Sequence, residues 1–129
     1  MKKQQDLDEY LILEEFSQEM KELFAYCPQK CEEKILEVLS RYPDAPQPQN
    51  LLGILAEYKN NKTLAMKHYR AAWALAADYS PSSANISRLA EFDYQRQYYF
   101  HVKDVQQKDE EQNTYQFLRR VLGLSLIHI

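Results

Sequence analysis

The chain has 129 residues, 45% of them hydrophobic, with 16 Lys and Arg against 19 Asp and Glu and a net charge of −3. That suits one small domain with enough apolar content for a packed core, and it excludes disorder throughout. Two glycines, Gly53 and Gly123, are too few for a multi-glycine phosphate loop or a turn-rich all-β fold, and the mild acidity gives no general attraction to nucleic acid.

Apolar spacing and breakers predict helices along the whole chain. The first runs over about 7–26, with Phe16, Met20 and Leu23 on one stripe. Pro28 suits the first turn of a second helix, which carries Ile35, Val38 and Leu39 and stops before Pro43. The segment 43–48 reads as a turn, followed by a third helix to Tyr58. Asn60-Asn61 form the next turn, because Asn tolerates a left-handed backbone and Asn61 can cap the helix that follows. A fourth helix is predicted over about 62–78, with Ala65, Tyr69, Ala72 and Trp73 on one face. A fifth starts near Pro81 and carries Ile86, Leu89 and Ala90. The run Tyr98-Tyr99-Phe100-His101-Val102 reads as helix or strand. A last helix over about 108–122 places Tyr115, Leu118 and Val121 at helical spacing.

The charge is uneven: residues 1–40 hold ten acids and five bases, and the remainder nine acids and eleven bases. The acidic excess falls on the first two helices, where a solvated face explains it. No run of about 18 apolar residues occurs, so no membrane span is predicted. The basic start lacks an apolar signal core. With two cysteines, the expectation is a reducing, cytoplasmic setting.

Sliding the chain by 34 residues superposes Leu52 on Ile86, Leu55 on Leu89, Ala56 on Ala90, Glu57 on Glu91 and Tyr58 on Phe92. The same step places Cys31 on Ala65, Ile35 on Tyr69, Val38 on Ala72 and Leu39 on Trp73. Two antiparallel helices approach closely only where small residues leave room, and Gly53, Ala56 and Ala65 supply it. Each pair leaves one apolar face bare and so needs a neighbouring pair.

Leu52-Gly53 followed by Ala56, then Ala65, Tyr69 and Ala72, with Pro43 closing the preceding unit, resembles the tetratricopeptide repeat family. The match departs from the family at Gln49, where an aromatic is usual, and at Ala77, where Pro is usual. The resemblance covers about residues 28–92, with one strong repeat and two partial ones. It implies an all-α, right-handed stack of helix-turn-helix units, about six helices in all. Residues 1–27 form the N-terminal helix of a partial repeat, 28–92 the repeat region and 93–123 a helical extension.

The resemblance also implies a concave surface lined by the first helix of each unit. Asn50, Ile54, Glu57 and Tyr58 would face outward from the third helix, and Asn85, Arg88 and Phe92 from the fifth. Such a groove suits an extended peptide or a partner helix. The implied function is a non-catalytic protein–protein interaction module of a bacterial cytoplasm. The alternative is an accessory or regulatory region whose groove grips its own chain or, as a homo-oligomer, a second copy.

Catalytic and metal chemistry find little footing. Cys27 and Cys31 form a C-x3-C pair, but structural zinc wants four ligands, and His68, His101 and His128 are isolated. Cys31 also occupies the small-residue slot that Ala65 fills one step later, so a buried structural role outweighs a thiol or metal site. Adjacent glutamates such as Glu14-Glu15 do not face each other on a helix, and no serine sits in a Gly-flanked elbow. No catalytic residue and no cofactor are expected. The aromatics at 92, 94, 98, 99 and 100 serve packing or a partner surface, and Arg88, Arg96 and Lys103 are too few for an RNA groove. The apolar end 124–129 resembles translated adaptor read-through, in which case the natural sequence continues differently after about Leu122; the alternative is a genuine short strand or docking tail.

Overall fold

A computed structural model describes residues 6–123 of the chain. They contain six α-helices and no strand: α1 Leu7–Tyr26, α2 Cys31–Arg41, α3 Pro46–Tyr58, α4 Lys62–Leu75, α5 Ser80–Ala90 and α6 Val102–Leu122. A 3-10 turn over Pro28–Lys30 leads into α2, and residues 91–101 cross from α5 to α6 without helix or strand. The chain is therefore all-α. None of these helices is long and apolar enough to cross a membrane. The end 124–129, with its suggested read-through and His128, lies outside the described residues.

Local chemistry explains most boundaries. Asp8 and Glu9 sit in the first turn of α1, where negative charge opposes the exposed N–H groups. Asn60 takes a left-handed backbone, with φ of 63°, and the Asn61 side chain accepts from the Leu64 N–H at 3.1 Å, capping α4. Helix α3 begins at Pro46, earlier than the turn over 43–48 predicts. Proline is tolerated there because the first-turn N–H groups have no intrahelical acceptor to lose. Helix α4 ends at Leu75, where Ala76 turns extended, short of the predicted 78. Helix α6 begins at Val102, six residues before the predicted start, with Asp104 in its first turn.

The core follows the small-residue seam. Ala56 on α3 and Ala65 on α4 are both buried in one cluster with Cys31, Ile35, Leu55 and Tyr69. Gly53 has no room for a side chain: a Cβ there would lie 2.4 Å from both Cδ1 and Cε1 of the Tyr69 ring. The absence of that one carbon lets the tyrosine lie against the α3 backbone. Residues 31, 35 and 38 of α2 are buried, and so are 65, 69 and 72 of α4, so burial on these two helices keeps the 34-residue step. On α1, Met20 is buried, and Phe16 and Leu23 pack against the same core.

The pattern fails at the far end. Trp73, predicted on the buried stripe, is 52% exposed. It borders an open apolar cavity of about 590 Å³ shared with Arg70, Ala74 and Ile86, because the chain leaves α5 as an extended segment instead of a second helix that would cover this side. Ala90 is exposed for the same reason. Tyr115, Leu118 and Val121 do align on α6, but all three are exposed, and α6 has no buried residue.

Candidate functional site

Helix α3 packs against α1 on one side and α5 on the other. The side chains that α3 and α5 turn to a common face are mostly polar, and nearly all are satisfied. Tyr69 reaches across from α4 and donates its hydroxyl to Glu57 Oε1 at 2.8 Å. Arg88 of α5 grips Glu57 with both terminal nitrogens, Nη1 to Oε2 at 2.6 Å and Nη2 to Oε1 at 2.7 Å. Nη2 also donates to Asn85 Oδ1 at 3.1 Å, and Asn85 Nδ2 donates to Asn50 Oδ1 at 2.9 Å. Glu57, Asn50 and Asn85 are wholly buried. A buried ion pair survives only when its remaining lone pairs and protons are bonded, and this paired fork with two further acceptors largely meets that condition.

Burial opposes the charge of Arg88, but the hydrogen bond and charge of Glu57 outweigh it and hold its pKa above the ordinary value. Burial, reinforced by Glu57, pushes the Tyr69 hydroxyl far above the usual phenol range, so it remains a donor. Arg88 Nε is buried and has no hydrogen-bond partner among the described residues.

Across this polar line runs the extended segment 91–101, a strap held largely through its backbone. Asn85 Oδ1 accepts from the Tyr99 N–H at 3.1 Å, and Asn85 Nδ2 donates to the Tyr99 carbonyl at 3.0 Å. One side-chain amide thus pairs with both main-chain groups of one residue, as a neighbouring strand would. Asn50 Nδ2 donates to the same carbonyl at 3.0 Å, and Arg88 Nη1 donates to the Gln95 carbonyl at 2.8 Å.

The side chains flanking the clamped residue point into an aromatic cluster. Phe24 of α1 meets Tyr58, Tyr98 and Phe100 edge-on, with centroids 5.2, 5.6 and 5.5 Å away. Cations cover ring faces nearby, Arg88 over Tyr98 at 5.5 Å and Lys62 over Tyr94 at 3.8 Å. Arg96 contacts Asn60 at the α3–α4 turn.

Two acids fix the exit into α6. Glu14 of α1 accepts from the Val102 N–H at 2.9 Å, the Tyr79 hydroxyl at 2.7 Å and Gln47 Nε2 at 3.3 Å. Asp104 accepts from the Phe100 N–H at 2.9 Å and from Lys21 Nζ at 2.6 Å. Beside it, His101 is buried; burial lowers its pKa, and Asp104 opposes the shift only in part.

The sequence-predicted groove residues divide into two groups. Asn50, Ile54, Glu57, Asn85 and Arg88 gather on this face but are buried, contrary to the outward exposure expected of them. The strap covers part of the face, and the helices enclose the rest. Tyr58 is 42% exposed at the rim and still touches Phe24. Phe92 does not join: α5 has ended, and its ring is fully exposed. Sequence reasoning missed Glu14, Phe24 and Asp104, and it did not connect Tyr98–Phe100 to the groove. One available signal was the pair Asn50 and Asn85, set 35 residues apart and thus one off the 34-residue step.

Elsewhere, Cys31 is buried in the core and its thiol is raised by burial, then by Cys27, which disfavours the thiolate that nucleophilic or metal chemistry needs. Cys27 Sγ lies 3.4 Å from Gln29 Oε1, and both thiols are free. His68 contacts Gln49 Oε1 through Nδ1 at 2.8 Å, and burial lowers its pKa. Among the described residues, no three His, Cys, Asp or Glu side chains cluster as metal ligands would. Comparison with protein-family models, with curated proteins and with solved structures gives no match.

Proposed function

We propose that the chain is a non-catalytic protein–protein interaction module, built as a stack of the tetratricopeptide repeat kind, whose α1/α3/α5 face takes an extended peptide. The observation that carries this reading is the grip on Tyr99: Asn85 of α5 holds both of its main-chain polar groups, and Asn50 of α3 holds its carbonyl as well. Main-chain recognition of this sort accepts any extended segment, and flanking pockets then select the side chains. Free thiols at Cys27 and Cys31 support a reducing, cytoplasmic setting.

The same bonds favour the second reading, an accessory or regulatory region whose face grips its own chain or a second copy, since the segment on the face is the chain's own. Panning a random displayed peptide library against the full chain tests the module. Recovered peptides should lose about 100-fold in affinity when Asn50 and Asn85 are both changed to Ala, since three hydrogen bonds of about 1 kcal/mol each are lost. Recovery of no peptide, or of peptides indifferent to both asparagines, defeats it.

A further inference from the structure

Building on the interaction-module reading, we propose that residues 94–100 are an exchangeable occupant of the face, and that in trans the site takes an extended peptide with an aromatic residue on each side of one clamped residue. Three features of the strap support this. Its hold on the polar line is through backbone atoms of Tyr99 and Gln95, which any extended peptide supplies. Its side chains at 98 and 100 enter the Phe24 cluster, while Gln95, Arg96 and Gln97 between the anchors stay exposed. The residues joining it to α5, Glu91, Phe92 and Asp93, are all exposed, so the strap leaves α5 at the surface.

The face is also organised without the strap. Glu57 and Arg88 pair with each other, Asn85 bonds Asn50 and Arg88, and Tyr69 bonds Glu57, all within helices α3 to α5. A site whose polar groups already satisfy one another is pre-ordered for a ligand, which reduces what binding must fix. The occupant spells out the ligand chemistry: aromatic side chains two residues apart in extended backbone, the first with its ring face turned to Arg88, and a central residue free to donate and accept through its main chain. A proline at the centre is excluded, because it has no N–H for Asn85.

The experiment uses the full chain with a protease site replacing Glu91, Phe92 and Asp93, cut after folding. A fluorescent peptide of residues 93–105 is titrated in, with anisotropy and size exclusion as readouts. The peptide should enter the cut chain and release the strap–α6 fragment. The uncut chain should bind it about 100-fold more weakly, because a tethered strap competes at an effective concentration of the order of millimolar. The same peptide with Tyr98→Ala and Phe100→Ala should fail to enter, whereas Tyr-Tyr-Phe in Gly/Ser flanks should compete. Asn85→Ala in the cut chain, which removes two hydrogen bonds to the entering backbone, should weaken entry about 30-fold.

A fragment that stays bound at saturating peptide, a chain that unfolds on cutting, or equal entry of the alanine peptide overturns the proposal. If library peptides bind through Asn50 and Asn85 while the strap peptide does not, only this inference falls. If neither binds, the module reading falls with it.

Discussion

The strap and the outer part of α6 belong to one C-terminal extension and are both rich in aromatic and aliphatic side chains, yet their fates are opposite. Phe100 is buried, with Tyr98 packed beside it, while Tyr115, Phe117 and Leu118 stand in solvent. Hydrophobicity does not separate them. The strap lies on a prepared surface, where Asn50, Asn85 and Arg88 replace the water its backbone gives up and Phe24 receives its rings. Helix α6 satisfies its own backbone and, among the described residues, meets no such surface beyond its first turn, which Glu14 and Asp104 tie to α1. Burying an extended segment requires partners for its peptide groups first, and apolar contact follows.

The most severe way to break this contrast is to remove the floor under the strap. Glu57→Ala leaves Arg88 buried without its counter-charge and should destabilise the chain by about 3–5 kcal/mol, read as a lowered urea midpoint. Comparing two phenylalanines sharpens it: Phe100→Ala should cost about 3 kcal/mol, whereas Phe117→Ala should stay within about 0.5 kcal/mol in the same urea titration. Equal losses would mean that α6 is packed in solution. Gly53→Ala forces a carbon into the Tyr69 ring. An overpacking penalty of about 1–3 kcal/mol, against a helix-propensity gain of at most about 1 kcal/mol, leaves net destabilisation.

The smallest effect concerns pH. Burial holds the folded pKa of His101 below its ordinary value, so through the imidazole range the unfolded chain binds more protons. The contribution of His101 is complete above the ordinary value and is lost as the pH falls through it towards the folded value. His68 shifts the same way, so the test is a difference. Between about pH 7.5 and pH 5, His101→Asn should lose less of its urea midpoint than the unaltered chain does.

Much of the helical framework was legible in sequence because its causes are local. The bounds of α1, the left-handed Asn60 and the Asn61 cap follow from residue type and spacing, and the 34-residue step located the buried faces of α2 and α4. The strap escaped because periodicity reads an extended segment by asking which strand it pairs with, and Tyr99 pairs with side chains instead. The outward reading of Asn50 and Asn85 failed for a related reason: helical spacing can say which way a residue points, but not that a distant part of the same chain returns to cover it. Trp73 and Phe92 were misjudged because the repeat pattern presumes that α5 continues and that a helix follows at once, whereas the chain runs without helix or strand over 91–101 before α6.

The asparagine pair has a mechanical side. Asn50 of α3 and Asn85 of α5 bond each other and also share the Tyr99 carbonyl, so the strap adds a second tie across the seam between these helices. Pulling the two helices apart would have to break the strap's bonds as well as the asparagine pair, so a backbone on that carbonyl site couples them mechanically.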